Sequence, residues 1–291
     1  MKNRVLAASI FLGLVFWTAR EVNQVEKDID YINAHSLNTK IRMTTEQAQP
    51  AKNPVKTAGL KKKCRPTTRR LVDPEKIYED ADYLVKIRIF KLITIPATHQ
   101  VIPRDTNSFG SGTIVKCKKY KYCVLTAFHV VDESSMTYFA EPKDGSAAQM
   151  LELISGTTHY DTALLKFADY KYVPKKTARL GRSSIMKAGA PIHAMGSNRF
   201  GDFWYSVGGH LYTTSKKANP TLKAILAGSG LLHPKLLLFN TPIFHGYSGG
   251  PLHNKYGEVI GVSIGYTNLD EEPIYIGAPI DEIRKIQKML K

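Results

Sequence analysis

Several kinds of signal are scarce or missing in these 291 residues. There are only 3 cysteines, and none has the spacing of a structural zinc site, so a disulfide-dense scaffold and a cysteine-ligated metal are both excluded. No apolar run reaches the ~20 residues that a membrane-spanning helix needs. No internal repeat recurs, which excludes a solenoid or propeller. Extended helical periodicity is absent until the last residues, which argues against a bundle or a doubly wound α/β fold. Acids are the minority charge: 25 Asp/Glu against 41 Lys/Arg give a net charge of +16.

That excess is uneven. Residues 1–70 hold 14 Lys/Arg against 5 Asp/Glu, and the densest run, KKKCRPTTRR at 61–70, sits where no folding pattern exists. A solvated linker is the reading preferred there, and nucleic acid is not an expected partner. The N-terminus begins with Lys2 and Arg4, then VLAASIFLGLVFWTA (5–19), closed by Arg20 and Glu21. This has the make-up of an export signal. Its exit lacks a small-x-small cleavage site, with Trp17 two places before Ala19, so residues 1–20 are read as an N-terminal signal or, if uncleaved, a membrane anchor. The positive flank places the body outside, periplasmic or extracellular. Residues 21–72 are expected to form a short helix (Val22, Val25, Ile29, Ile32) and then a mobile basic linker.

From about residue 73 the texture changes to short β-type runs separated by turn residues: YLVKIRIF (83–90), SGTIVKC (111–117), YCVLTAF (122–128), TALLKF (162–167), LLLFNTPI (236–243) and EVIGVSIG (258–265). One helix is expected near the end, in PIDEIRKIQKML (279–290), with Asp281 as its N-cap. This is an all-β fold of the barrel or double-barrel type. Cys117 and Cys123 flank KKYKY in an expected hairpin, whose facing strands bring them within reach of a disulfide; Cys64 is then left over.

The chemistry starts from HGYSGGPL (245–252). A serine hydroxyl is a poor nucleophile without a base, and that base needs an orienting carboxylate. His129 ends the apolar run VLTAFHVV (124–131), and Asp161 opens TALLKF within HYDTALLKF (159–167). Taken singly, His129 also reads as a satisfied core histidine and Asp161 as a turn residue. The joint order His129, Asp161, Ser248 with these local motifs resembles the chymotrypsin-like (trypsin-fold) serine proteases, most closely their bacterial HtrA-type branch. GSGTIV (110–115), GEVIGVSIG (257–265) and IGAPIDEIRKI (276–286) agree with the likeness, which covers residues 76–290.

The resemblance implies two six-stranded antiparallel β-barrels, about 76–175 and 176–280, and a short C-terminal helix, with no PDZ domain within this chain. It implies a serine endopeptidase that needs no cofactor or metal and acts on protein or peptide substrates. His129 would be the general base, Asp161 its orienting acid and Ser248 the nucleophile. The N–H groups of Gly246 and Ser248 would form the oxyanion hole, while Ser263, Ile264 and Gly265 would pair with substrate backbone. Two positions depart from the pattern. Tyr247 stands where digestive members carry Asp and bacterial ones often Asn, and His245 has no assigned role. Pro242 replaces the acidic floor of a trypsin pocket, so an apolar or small residue is expected before the cut bond. The G-x-S-x-G elbow of α/β-hydrolases is a poor fit, because its Asp and His must follow the serine. A catalytically inactive, membrane-tethered peptide-binding module is the remaining rival; oligomeric state is left open.

Overall fold

The computed structural model describes residues 70–96, 99–198, 200, 202–228, 235–269 and 272–286. The anchor, the first helix, nearly all of the linker and Cys64 lie outside them. Among the described residues, no helix is long and apolar enough to cross a membrane.

The first element is a one-and-a-half-turn helix, α1 (Pro74–Glu79), with proline at its start and Asp73 capping the Glu75 N–H. Six strands follow: β1 (Leu84–Thr94), β2 (Val101–Cys117), β3 (Lys121–Ala127), β4 (Met136–Pro142), β5 (Gln149–Thr157) and β6 (Thr162–Phe167). They close into an antiparallel barrel in the order β1-β2-β3-β6-β5-β4. A second barrel is made of β7 (Pro191–Ser197), β8 (Phe203–Thr214), β9 (Leu237–Phe239), β10 (Pro251–His253), β11 (Val259–Leu269) and β12 (Glu272–Pro279). Its order, β7-β8-β9-β12-β11-β10, is that of the first barrel. The fold therefore repeats in topology what the sequence does not repeat in residues. Helix α2 (Pro220–Gly228) is inserted between β8 and β9, and α3 (Ile280–Ile286) follows β12.

Strand formation follows alternation. In the second barrel Ile192 and Ala194 of β7, Leu252 of β10 and Ile260 of β11 point inward with Leu211, Phe239 and Tyr275. Residues of opposite parity, such as Met195 and Val259, join the core formed with the first barrel. Burying one face of each strand fixes its register, since a slip by one residue would turn every side chain over. The central strands β3 and β6 read as unbroken apolar runs, with Cys123, Val124, Leu125, Ala163, Leu164 and Leu165 all fully buried.

Some expectations need revision. The apolar run 236–243 forms a strand only over Leu237–Phe239; past it, the Asn240 side-chain oxygen accepts the His210 N–H (2.7 Å). Asp281 lies inside the first turn of α3 instead of capping it. Its carboxylate accepts the Ser184 N–H at 2.7 Å, tying the helix to the segment that leads into β7. Cys117 and Cys123 are joined across the β2–β3 turn, with Cα atoms 5.9 Å apart.

Candidate active site

His129 and Asp161 meet because of strand pairing. β3 and β6 are antiparallel neighbours with Ala127 opposite Thr162, so the chain leaving β3 and the chain entering β6 lie side by side. Beyond that pair, the Phe128 N–H donates to the Asp161 carbonyl (3.0 Å) and Phe128–Val130 makes a single 3-10 turn. Asp161 takes a left-handed backbone, φ +50°, a conformation that Asp tolerates better than most residues. Its carboxylate accepts two hydrogen bonds from one residue: the His129 N–H at 2.9 Å on Oδ1 and the His129 ring Nδ1 at 2.5 Å on Oδ2. The first fixes the turn and the second fixes the ring. Asp161 is largely covered, with 16% of its side chain exposed, against 45% for His129. The Asp161 hydrogen bond raises the His129 pKa above its ordinary value, and partial burial opposes part of that rise.

Ser248 lies in the second barrel, in the connection from β9 to β10, and two glycines shape its loop. Gly246 has φ +98°, and a Cβ there would lie 2.2 Å from the Ser197 carbonyl oxygen. Gly249, φ +86°, passes so close to the first barrel that a Cβ would fall 2.1 Å from Thr126 Oγ1. Both positions exclude any side chain. The loop thus presses onto the end of β3 that carries His129. Neither the Gly246 nor the Ser248 N–H meets an acceptor among the described residues. Two main-chain donors beside the serine are thereby left for an external oxygen. No hydrogen bond joins Ser248 to His129; such bonds are often long in unliganded sites and tighten with substrate.

The sequence reading missed Ser111, the residue that rivets this loop to the first barrel. It is fully buried, and all its polar groups are used. Its N–H donates to the Ser248 carbonyl (2.8 Å) and its carbonyl accepts the Thr126 hydroxyl (2.6 Å). Its Oγ donates to the Gly246 carbonyl (2.6 Å) and accepts the Ser197 N–H (2.8 Å). One residue therefore holds the loop on either side of Tyr247, the Gly246 carbonyl through its side chain and the Ser248 carbonyl through its main chain. The only sequence signal was the small triplet Gly110-Ser111-Gly112, which reads equally as part of a strand.

Tyr247 and His245 separate in role. Tyr247 is 1% exposed, packs edge-on against Phe244 (5.8 Å between centroids) and places its hydroxyl 3.3 Å from Ser206 Oγ. Gly196 leaves room for its ring, because a Cβ there would stand 2.6 Å from Tyr247 Cγ. Burial pushes the phenol pKa well up, so the residue is a neutral plug in the second barrel. His245 is exposed and rests edge-on against Phe109 (5.1 Å).

Ser263 has its main chain committed within the protein. Its carbonyl accepts the Gly249 N–H (2.8 Å) and its N–H donates to Gly250 (2.9 Å), while its hydroxyl donates to the Tyr247 carbonyl. β10 pairs with β11 only as far as Val262, so the edge of β11 that is open to an added strand begins after Ser263, with Ile264 and Gly265. Beside His129, a groove of about 460 Å³ is lined by Phe128, Val131, Met136, Met150, Leu151 and Leu153, with Asp132, Glu133 and Glu152 among its polar residues. No cluster of three or more metal-ligating side chains exists among the described residues.

Comparison with known proteins places the fold and the family. A DegP-like periplasmic serine endoprotease of Pseudomonas savastanoi pv. phaseolicola is 33% identical over 165 residues, 55% of this chain and 29% of that protein. A second, from Ectopseudomonas mendocina, is 32% identical over 160 residues, 55% and 30% of the two chains. The magnetosome formation protease MamE of Paramagnetospirillum magneticum is 28% identical over 161 residues, 55% and 20%. The match thus spans less than a third of each relative's length. Among solved structures, the HtrA-type protease AlgW S227A with a tripeptide superposes with a TM-score of 0.56 at 19% identity, covering 75% of this chain and 63% of that one. That superposition supports the double-barrel architecture described above. Residues 110–262, which carry the β3–β6 junction and the serine loop alike, match the trypsin-like peptidase domain, and the chain belongs to that family.

Proposed function

We propose that this chain is a serine endopeptidase working through His129, Asp161 and Ser248. The observation that supports it most is the double hydrogen bond from His129 to a covered Asp161, on the strand end against which the Gly249 turn packs. In this reading, Ser248 Oγ attacks the peptide carbonyl carbon while His129 Nε2 takes its proton. The oxygen that becomes negative enters the pocket between the N–H groups of Gly246 and Ser248. A preorganised donor of this kind contributes about 3–4 kcal/mol to the transition state. His129 then hands the proton to the leaving amine as the C–N bond breaks, and water, activated by the same imidazole, hydrolyses the acyl ester. Asp161 stays ionised and stabilises the imidazolium.

The substrate is a protein or peptide laid along the open edge at Ile264 and Gly265. No acidic residue lies between residues 231 and 247, so an apolar or small side chain precedes the cut bond. The groove beside His129 takes a second apolar side chain. The chain works outside the cytoplasm, as the periplasmic relatives suggest, held to the membrane by residues 5–19. Cleavage of a peptide library tests activity and specificity together. Products from the wild type, ending in apolar or small residues and absent with Ser248→Ala, are expected. A folded wild-type chain that leaves the library intact would overturn the proposal.

A further inference from the structure

We infer that the end of the first barrel remote from Ser248 is a docking face for an anionic membrane surface. β3 runs from Lys121 to Ala127, about 20 Å at ~3.3 Å per residue, with the His129 turn at one end and the β2–β3 turn at the other. That far turn reads KCKKYKYC (116–123) and is closed by the Cys117–Cys123 bond. Lys116, Lys118, Lys119 and Lys121 are all exposed on it, and the loop after β6 adds exposed Lys171. β6 leads there because Lys166 pairs with Cys123 at that end of the sheet. Lys166, Lys175 and Lys176 are neutralised by Glu152, Asp82 and Asp80. The five exposed lysines have no acidic partner among the described residues.

Tyrosines are interleaved with them. Lys119 lies 5.1 Å from the Tyr120 ring centre, Lys121 5.2 Å from Tyr122 and Lys171 5.7 Å from Tyr170. Tyr170 is 86% exposed and Val173 62%, although neither gains anything by facing water. Tyrosine beside lysine is the chemistry of a lipid–water boundary, where the ring sits at headgroup depth and the amine meets phosphate. Behind Lys116 opens a cavity of about 330 Å³ lined also by Thr177, Ala178, Arg179, Leu180 and Arg284. The strand brings this cavity to the same end, since the Ala178 N–H donates to the Ile114 carbonyl (2.8 Å). Arg179 and Arg284 face Glu258 and Asp281 there, so Lys116 is the cation at this space without an acidic partner among the described residues. For its choice of partner the inference rests on reading residues 5–19 as a membrane tether; with this face down, the His129 end of the barrel points away from the bilayer.

The test uses the full chain on vesicles of phosphatidylcholine, with and without phosphatidylglycerol, and brief acetylation of lysines read by mass spectrometry. On the anionic vesicles Lys118, Lys119, Lys121 and Lys171 should be acetylated at least about fivefold more slowly than Lys216 and Lys223 of the second barrel. The difference should vanish in 1 M salt, where the Debye length shrinks to about 3 Å, and on phosphatidylcholine alone. The variant K118E/K119E/K121E should lose the protection of Lys171 while its peptide cleavage is unchanged. Uniform acetylation on anionic vesicles, persistent protection of Lys171 in the variant, or protection by duplex DNA in place of vesicles would each overturn the inference. Failure to pellet with phosphatidylcholine alone, with lysine protection intact on anionic vesicles, would sink the tether and support the face.

Discussion

Removing the Ser111 hydroxyl tests whether this residue positions the serine loop. In Ser111→Ala the main chain of residue 111 stays, so the bonds from its N–H to Ser248 and from Thr126 to its carbonyl persist. What disappears is the bond to the Gly246 carbonyl at 2.6 Å and the acceptor for the Ser197 N–H at 2.8 Å. Each of the two groups left without its partner in a dry environment costs about 1–3 kcal/mol, which gives a loss of about 2–6 kcal/mol. For a domain of this size, at about 2–4 °C per kcal/mol, that lowers Tm by about 4–24 °C. The catalytic effect should exceed what unfolding explains, because Gly246 also supplies one of the two proposed oxyanion donors. Outright loss of such a donor costs about 10²–10³ in rate. Loosening it should cost about tenfold or more. Urea unfolding gives the stability, and the acylation rate of the folded variant, measured well below its melting temperature, gives the second number. A variant as stable and as reactive as wild type would refute the positioning role.

Three further outcomes follow from the site and the core. Asp161→Asn should lower turnover by about 10⁴-fold, because an amide no longer holds the imidazole in the tautomer that accepts a proton. Activity of the wild type should fall as pH drops through the raised His129 pKa, with its midpoint above about 6.5; in Asp161→Asn the midpoint should move down, and an unmoved midpoint would show that Asp161 does not set it. Stability has its own acid limb from His253, which is fully buried against Tyr83 (2.8 Å) and whose pKa burial pulls down to about 3. Between about pH 6.5 and pH 3 the unfolded chain binds a proton that the folded chain refuses, so stability falls with pH by about 1.4 kcal/mol per unit. His253→Gln should flatten that limb in denaturant titrations.

The triad candidates were legible because each carries its signal locally: apolar TALL directly after Asp161, apolar VLTAF before His129, and a glycine cluster around Ser248. Pairing of β3 with β6 brings the first two together, and apolar runs on both strands announce it. Less was legible where burial does not enforce a pattern. β2 begins at Val101, ten residues before the expected strand, because Pro103, Arg104 and Asn107 are exposed and look like turn residues. The strands β4, β5, β7, β8 and β10 and the helix α2 were not read individually, being short, mixed in composition or partly exposed. Ser111 escaped because one small polar residue in a strand gives no hint of four partners. Tyr247 read as an anomaly in the serine motif, whereas its ring belongs to the core, filling a space that Gly196 vacates on a strand about fifty residues earlier.

Covalent labelling of Ser248 tests the central claim most directly. A fluorophosphonate needs the activated hydroxyl, the imidazole base and the oxyanion donors at once, and it needs no knowledge of the substrate. The full chain should be labelled at Ser248 in its wild-type form, weakly in Asp161→Asn and not at all in Ser248→Ala. Folded wild-type protein that takes up no label would contradict the account and leave the double barrel as a binding module.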